Sequence, residues 1–388
     1  MARVLLAGGG SGGHVTPLKA IISELNEEAN VDNLSITVVT DRGFYKETQA
    51  IFKDIEKVQL KKIFSGKYRR YKSKSLLWHI THVPTLLKNA RDIVLLGAGL
   101  VQSIVYFLMH KPDVVFCKGG FVCVPIGFTA RLFRVPLIIH DSDTRPGLTN
   151  RILARWAQTI ATGMPTSFYP YPQQKMKYVG IPVQRSYQPV NSKKQKVYKN
   201  DLGLAADRPL LLVTGGGKGA ATLNAQITAI ARKLIGDGWS IINLAGRGKD
   251  VELRAVREAL PQSQQQHWQI EEFAEMLPRL LASDLVICRT SASTVQECAN
   301  AQKAVIGVPS HNLDDQKQNA AFFASKEAII ALDETTFSDD GSELLSAIEQ
   351  LQKNPEHSQQ LAQTLHDEFA KPHAAVELAH IILASTPQ

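Results

Sequence analysis

Short runs of apolar residues alternate along this chain with amphipathic segments whose apolar positions recur at helical spacing. This alternation is typical of a doubly wound α/β domain with a parallel sheet. The runs are short and almost wholly apolar, which suits strands that are buried on both faces. The predicted strands lie at 4–7, 34–40, 114–117, 136–140 and 159–162, and then at 209–214, 240–246, 267–270, 285–289, 304–310 and 328–332.

The alternation stops once and then restarts, which predicts two domains of the same kind. Around 164–189 the sequence is rich in Pro, Tyr and Gln, and 388 residues are too many for one ordinary core. We predict two Rossmann-like parallel-sheet domains that face each other across a cleft, with ligands at the carboxyl ends of the strands. The predicted parts are an N-terminal domain (1–163), a linker (164–194), a C-terminal domain (195–354) and terminal helices (355–388), one of which could cross back to the first domain.

Each predicted domain opens with a strand, a glycine-rich loop and a helix. The first is VLLAGGGSGGHVTP (4–17), and the second is PLLLVTGGGKGAATLN (209–224). Glycines let backbone N–H groups approach a ligand closely, and a helix N-terminus attracts anions. Both loops are therefore candidate phosphate sites. His14 is unusual within the first loop because it places a titratable imidazole there.

The first loop also fits the dinucleotide fingerprint, through Gly8-x-Gly10-x-x-Gly13 with Asp41 after the second strand. An NAD-dependent oxidoreductase is therefore one hypothesis. Three features disfavour it: the continuation into Gly-His-Val-Thr-Pro, the second glycine loop, and the position of Asp41, which is somewhat farther along than usual. Neither loop continues into the Lys-Ser/Thr pair of a P-loop.

The net charge of +8 is unevenly distributed. Between Lys57 and Arg91 the chain carries many basic residues and no acidic one, and the interval includes Trp78 with several leucines. This composition predicts contact with an anionic membrane surface through Lys61–Lys74 and the Trp78 region. A solvated basic loop is the alternative, and we expect no nucleic-acid partner.

An uncharged stretch, IVLLGAGLVQSIVYFLM (93–109), follows the basic region. Its length is at the bottom of the range for a membrane span, and two glycines and a glutamine weaken that interpretation. We predict a buried helix that covers the sheet, with a membrane-embedded element as the alternative. The four cysteines have no metal-binding spacing, so we expect buried, reduced thiols and no metal site.

Several motifs together resemble the MurG-type glycosyltransferases of glycosyltransferase family 28, which have the GT-B architecture. The motifs are GGGSGGHVTP, KPDVVFCKGGFVCVP (111–125), HDSDTRPGLTNR (140–151), YVGIPV (178–183), TGGGKGAATLN (214–224), SDLVICRTSASTVQEC (283–298) and DQKQNA (315–320). The resemblance implies an inverting transfer of N-acetylglucosamine from UDP-GlcNAc to a polyprenyl-diphosphate-linked muramyl-pentapeptide. It also implies a peripheral enzyme at the cytoplasmic face of the cell membrane that needs no cofactor or bound metal.

The resemblance further implies roles for individual residues. Glu297 would hold the uridine ribose hydroxyls, since a carboxylate can accept two hydrogen bonds from a diol. His14 and Asp141 would be the candidates for the catalytic base. The other donor-side residues would be Ala292, Ser293, Thr294, Gln316, Arg289, Phe273, Gly217, Lys218 and Gly219. The loops at the acceptor and the diphosphate would contribute Gly10, Ser11, Gly12, Gly13, Thr16, Gly119, Gly120 and Asp143.

The chain departs from the family pattern at several of these positions. The usual His-Glu-Gln-Asn is His140-Asp141-Ser142-Asp143, Lys218 stands in the second glycine loop, and Asp315 replaces the first of two glutamines. Asp141-x-Asp143 also matches a DxD metal motif, for which we favour a structural explanation. YVGIPV resembles the corresponding motif of the diacylglycerol glycosyltransferases of the same superfamily, so diacylglycerol stays open as the acceptor. A non-catalytic subunit that binds a nucleotide sugar is a further alternative.

Overall fold

The computed structural model describes residues 1–28, 34–55, 57–67, 82–216 and 221–386. The chain divides into two compact units. The first unit comprises Met1–Ser142, Pro146–Pro182 and His373–Gln388, and the second comprises Asp143–Arg145 and Val183–Pro372.

The first unit contains a parallel sheet with the strand order β3-β2-β1-β4-β5-β6-β7 among the described residues. Its strands are β1 (Ala2–Gly8), β2 (Leu34–Asp41), β3 (Val58–Ile63), β4 (Val114–Gly119), β5 (Leu137–Asp141), β6 (Thr159–Thr162) and β7 (Met176–Tyr178). Its helices are α1 (Gly12–Glu28), α2 (Tyr45–Ile51), α3 (Val83–His110), α4 (Cys123–Leu132) and α5 (Leu148–Leu153), with short 3-10 turns at Thr166–Phe168 and Gln173–Lys175.

The second unit repeats this architecture with the strand order β10-β9-β8-β11-β12-β13. Its strands are β8 (Leu210–Thr214), β9 (Ser240–Leu244), β10 (Trp268–Glu271), β11 (Leu285–Cys288), β12 (Ala304–Gly307) and β13 (Ile330–Ala331). Its helices are α6 (Ser192–Asp201), α7 (Ala221–Gly236), α8 (Val251–Glu258), α9 (Gln262–Gln265), α10 (Met276–Ala282), α11 (Ala292–Asn300), α12 (Asp314–Ser325), α13 (Ser342–Lys353) and α14 (Pro355–Phe369), with a 3-10 turn at Glu334–Thr336. The last helix, α15 (Ala374–Leu383), belongs to the first unit, where it packs on α1.

The central strands are buried on both faces, as the apolar runs predict. Every residue of β4, β5, β8, β9, β11 and β12 is buried. Helices cover both faces of such a sheet, so nearly every strand side chain is apolar. The strands β3 and β7 were not predicted. β3 reads VQLKKI and has exposed lysines, which is common in edge strands, and β7 has only three residues.

The prediction of a buried helix over 93–109 is wrong. The residues form part of α3, but the apolar side chains of this helix face outwards: Leu87, Ile93, Val94, Val101, Leu108 and Met109 are each more than 60% exposed. Its buried residues are Thr85, Asp92, Gly99, Ser103 and Phe107, and the segment 64–67 approaches this face closely. A Cβ added to Gly99 would lie 2.0 Å from the carbonyl oxygen of Phe64, and the backbone N–H of Phe64 donates to Gln102.

Among the described residues, α3 is the one helix long and apolar enough to cross a bilayer, judged by length and composition. Its most apolar 18-residue window has a mean hydropathy of 1.9, and 17% of that window is buried. Trp78 and the basic residues from 69 to 74 lie outside the described residues.

Candidate active site

The glycine turns that follow β1 and β4 pack against each other in the first unit. The backbone N–H of Gly9 donates to the carbonyl oxygen of Gly119 at 3.3 Å. A Cβ on Gly120 would lie 2.3 Å from the oxygen of Gly9, and a Cβ on Gly119 would lie 2.7 Å from Nδ1 of His14. Only glycine permits this close approach, so the two predicted loops form one structure with the imidazole beside it.

Asp41 braces the first glycine turn. Its carboxylate accepts the backbone N–H of Gly10 at 2.6 Å and that of Phe44 at 3.1 Å. A Cβ on Gly9 would lie 2.5 Å from the same carboxylate. The carboxylate that the NAD hypothesis assigns to a ribose is therefore already bonded to the turn.

His14 lies in the first turn of α1, which begins at Gly12, earlier than the predicted start near Pro17. Its backbone N–H donates to Ser11, and its side chain is half-buried. Gly10, Gly13 and Thr16 are exposed around it, with Ser11 and Gly12 partly so. The imidazole thus sits where solvent, and hence a ligand, can reach this edge of the sheet.

The two aspartates of the DxD sequence are both held by protein groups. Asp141 is 3% exposed, and its Oδ2 accepts the hydroxyl of Tyr171 at 2.7 Å. Asp143 belongs to the second unit, where its Oδ1 accepts from the side-chain amide of Asn319 at 3.0 Å. A catalytic base must lie within reach of the acceptor hydroxyl, so this geometry favours His14 over Asp141.

A buried hydrogen-bonded chain that the sequence did not reveal runs behind the glycine turns. Lys118, which is 1% exposed, donates to the hydroxyl of Ser142, and that hydroxyl lies 3.3 Å from Nδ1 of His140. Nε2 of His140 is 2.8 Å from the carbonyl oxygen of Gly180. Burial, and then the charge of Lys118, lower the pKa of His140 well below its usual value. His140 is therefore neutral, and Nε2 carries the proton that is donated to Gly180.

In the second unit, a strained turn connects β11 to α11. Thr290 has φ = 53°, a left-handed conformation that is rare for a β-branched residue. Two hydrogen bonds hold this turn. The hydroxyl of Thr290 donates to the carbonyl oxygen of Gln316 at 2.9 Å, and the side-chain amide of Asn319 donates to the carbonyl oxygen of Thr290 at 3.2 Å. The first turn of α11 contains Ala292, Ser293 and Thr294, and its free N–H groups are suited to bind an anion.

Glu297 is on the same helix, half-buried. Burial raises the pKa of its carboxyl group to about 8. Tyr187 lies near it: burial, and then the charges of Glu297 and Glu275, raise the pKa of this tyrosine. Strongly raised pKa values of buried carboxyl groups are common at functional sites.

Arg289 and Gln316 are partly engaged within the protein. Arg289 is buried. Its guanidinium donates to the carboxylate of Glu334, and also to the carbonyl oxygen of Val308 at 3.1 Å. Oε1 of Gln316 accepts the backbone N–H of Ser310 at 2.9 Å. Phe273 follows β10 and is 66% exposed, so its ring is free to stack on a ligand.

The predicted residues Gly217, Lys218 and Gly219 lie outside the described residues. Within the described parts of the chain, no three His, Cys, Asp or Glu side chains are close enough together to hold a metal ion. All four cysteines are buried and free.

Comparison with known proteins identifies two matching family domains. Residues 4–162 match the glycosyltransferase family 28 N-terminal domain, and residues 210–377 match the glycosyltransferase family 28 C-terminal domain. A Bacillus cereus protein named UDP-N-acetylglucosamine–N-acetylmuramyl-(pentapeptide) pyrophosphoryl-undecaprenol N-acetylglucosamine transferase 2 is 32% identical over 310 residues, which are 80% of this chain and 79% of that protein. The Bacillus pumilus transferase of the corresponding name is 27% identical over 98% of both chains.

The solved structures agree on the fold. The crystal structure of Acinetobacter baumannii MurG has a TM-score of 0.68 at 22% identity and covers 99% of this chain and 100% of its own. The calicheamicin glycosyltransferase CalG4 has a TM-score of 0.67 at 15% identity and covers 99% of this chain and 98% of its own. The prediction of two Rossmann-like parallel-sheet domains and that of a UDP-sugar glycosyltransferase are confirmed, and the chain belongs to glycosyltransferase family 28.

Proposed function

We propose that this protein transfers N-acetylglucosamine from UDP-GlcNAc to a polyprenyl-diphosphate-linked muramyl-pentapeptide, with inversion at the anomeric carbon. The relatives' names support this reaction. The observation in the structure that supports it best is Glu297, a half-buried carboxylate on a helix whose N-terminus follows a strained turn. That arrangement offers acceptors for a ribose diol next to donors for a diphosphate.

In this mechanism, His14 takes the proton of the acceptor hydroxyl as the oxygen attacks the anomeric carbon. The bond from that carbon to the UDP oxygen breaks, and the configuration inverts. Backbone N–H groups at the start of α11 stabilise the negative charge that develops on UDP. Lys118 and His140 both bond to Ser142 and so connect the carboxyl ends of β4 and β5.

The test of substrate choice is a parallel assay. UDP-GlcNAc and UDP-glucose are each offered with the lipid-linked muramyl-pentapeptide and with diacylglycerol. We expect turnover with UDP-GlcNAc and the muramyl-pentapeptide. Turnover with diacylglycerol instead would support the second candidate, a glycolipid glycosyltransferase, which YVGIPV at 178–183 favours. Binding of UDP-GlcNAc without turnover on either acceptor would support a non-catalytic subunit.

We expect turnover to need no divalent cation. The positive end of α11 can offset the leaving-group charge, and both DxD carboxylates are already bonded to Tyr171 and Asn319. The check is the initial rate in excess EDTA, which we expect to equal the rate before chelation. A rate lost in EDTA and restored by Mg²⁺ or Mn²⁺ would show instead that a metal ion takes part.

We further propose that the protein lies peripherally on the cytoplasmic face of the cell membrane through α3. The outward face of this helix is apolar for most of its length, with Val94 and Leu108 each 70% exposed. The neighbouring α4 and α5 add exposed Phe128, Leu132 and Leu148. Lys88, Arg91 and Arg131 are exposed on the same helices. An apolar face with basic residues around it fits an anionic bilayer surface.

Val94→Glu should therefore weaken binding to vesicles that contain anionic lipid. Because Val94 is 70% exposed, the added charge should not disturb the packing of α3, and the midpoint of thermal unfolding should stay unchanged. Val251→Glu is the matched control, since Val251 is a 74% exposed valine on a helix of the second unit. Co-sedimentation with vesicles measures both variants, and equal binding by the two would mean that α3 does not lie on the membrane.

A further inference from the structure

His311 is a histidine outside the predicted site, and a buried carboxylate fixes its orientation. It lies in the loop after β12. Oε1 of Glu334 accepts its backbone N–H at 2.6 Å and its Nδ1 at 2.8 Å. Although burial alone raises the pKa of Glu334, hydrogen bonds from His311 and Arg289 lower it below its usual value. Glu334 is therefore ionised and can only accept, so Nδ1 of His311 carries a proton.

The same carboxylate connects His311 to the turn that opens α11. Its other oxygen pairs with Arg289, the residue that follows β11. The side chains of Glu334 and Arg289 are 3% and 9% exposed, whereas that of His311 is 52% exposed. A buried ion pair contributes little net stability because desolvation offsets the attraction. Its clear effect here is to hold an exposed imidazole in one orientation, with Nε2 on the side away from Glu334.

Two further bonds fix this loop relative to the donor-side turn. The backbone N–H of Ser310 donates to the side chain of Gln316, and the hydroxyl of Thr290 donates to the carbonyl oxygen of the same Gln316. The loop follows β12 and the turn follows β11, which are neighbouring parallel strands. Both therefore lie at the carboxyl edge of the sheet, where α/β domains bind ligands.

The charged groups around the imidazole are mixed in sign. Glu334 and Asp333 approach from the segment after β13, Arg289 from the end of β11, and Lys317 from α12, whose first turn also carries Asp314 and Asp315. Arg289 is already paired with Glu334, and Asp314 with Arg145, so the cations that an anionic ligand at Nε2 would meet are the imidazolium and Lys317.

We propose that Nε2 of His311 donates a hydrogen bond to the diphosphate of the bound UDP-sugar, and that Glu334 is the positioning residue for this contact. The inference rests on the proposed function and adds a diphosphate-binding residue to it. With Nδ1 already protonated, Nε2 can donate only in the imidazolium form. The contact should therefore favour a ligand that carries a diphosphate over a nucleoside without phosphate.

The experiment compares the binding of UDP and uridine by calorimetry to the wild-type protein, His311→Ala and His311→Lys. A hydrogen bond between charged groups predicts about a tenfold or larger loss of UDP affinity in His311→Ala, with uridine affinity unchanged. His311→Lys should recover part of that loss because it restores a cation. His267→Ala is the control, since His267 is a half-buried histidine that precedes β10, at the opposite edge of the same sheet.

If His311→Ala loses equal affinity for UDP and uridine, or loses neither, the proposed contact between His311 and the diphosphate is wrong. A wild-type protein that binds neither ligand would instead refute the UDP-sugar site, and the His311 contact with it.

Discussion

Replacing Glu297 by alanine is expected to weaken UDP-GlcNAc binding about 100-fold. If the carboxylate accepts two hydroxyls of the ribose, the two bonds together contribute roughly 3–6 kcal/mol, and removing the proton of the carboxyl group at pH 7 costs about 1.4 kcal/mol of this. A net loss of about 2.7 kcal/mol, a factor of about 100, lies within the remaining range. The thermal midpoint should not fall, because the variant removes a carboxyl group that burial disfavours in its ionised form. Calorimetric titration with UDP-GlcNAc measures the loss.

The same carboxyl group should make donor binding depend on pH. Its pKa is raised to about 8 in the ligand-free protein, so it is largely protonated at pH 7. Binding through the carboxylate must first remove that proton. Relative to that of Glu297→Gln, affinity for UDP-GlcNAc should therefore rise as the pH increases from about 6.5 to 8 and level off above, with a limiting slope of about tenfold per pH unit. The donor's diphosphate is a diester, so it has no ionisation of its own in this range.

Glu252→Ala is the matched control, because Glu252 is an exposed glutamate on another helix of the second unit. It should bind UDP-GlcNAc as the wild-type protein does and show the same pH profile. Glu297→Gln should bind weakly at every pH, without the rise towards pH 8. An unchanged dissociation constant in Glu297→Ala would remove this residue from the donor site, whatever the assay of turnover shows.

Replacing His14 by alanine should lower kcat by about 10²- to 10⁴-fold while the dissociation constant of UDP-GlcNAc stays the same. This range is the usual contribution of a positioned general base. The imidazole lies on the first unit, against Gly119, whereas the residues assigned to the donor lie on the second unit. The loss should therefore appear in the chemical step. The measurement pairs single-turnover kinetics with a separate donor titration.

His380→Ala controls for the loss of a histidine in the same unit. His380 is exposed on α15 and forms a surface pair with Glu28, which contributes little to stability. Wild-type turnover in His14→Ala would rule His14 out as the base. Since Asp141 is buried and bonded to Tyr171, Asp141→Asn tests the other candidate. We expect it to change turnover less than His14→Ala does.

Several parts of this structure could be predicted because they depend on local sequence. The buried parallel strands read as apolar runs, and their limits in the structure agree with the pattern to within a few residues. Glycines at Gly9, Gly119 and Gly120 marked the turns because no other residue permits the backbone approach found there. The motifs also indicated the family, which the matching domains confirm.

The face that α3 presents could not be predicted. An uncharged run of 17 residues indicates a helix that avoids water, but it does not say what covers that helix. In the structure Gly99, Ser103 and Phe107 are buried and Phe64 approaches Gly99 closely, whereas most of the larger apolar side chains stay exposed. That approach depends on residues about 30 positions away in the chain.

The limits of sequence reasoning are clearest at the side chains around the site. The sequence by itself determined the strands, the glycine turns and the family, since these follow from residue type and near-neighbour spacing. Only the tertiary structure decided which polar groups are already bonded: Asp41 to Gly10, Asp141 to Tyr171, and Arg289 to Glu334. It also revealed the hydrogen bonds of Lys118 to Ser142 and of His311 to Glu334. Hydrogen bonds depend on distances of a few tenths of an ångström between residues far apart in the chain, and no local pattern encodes them.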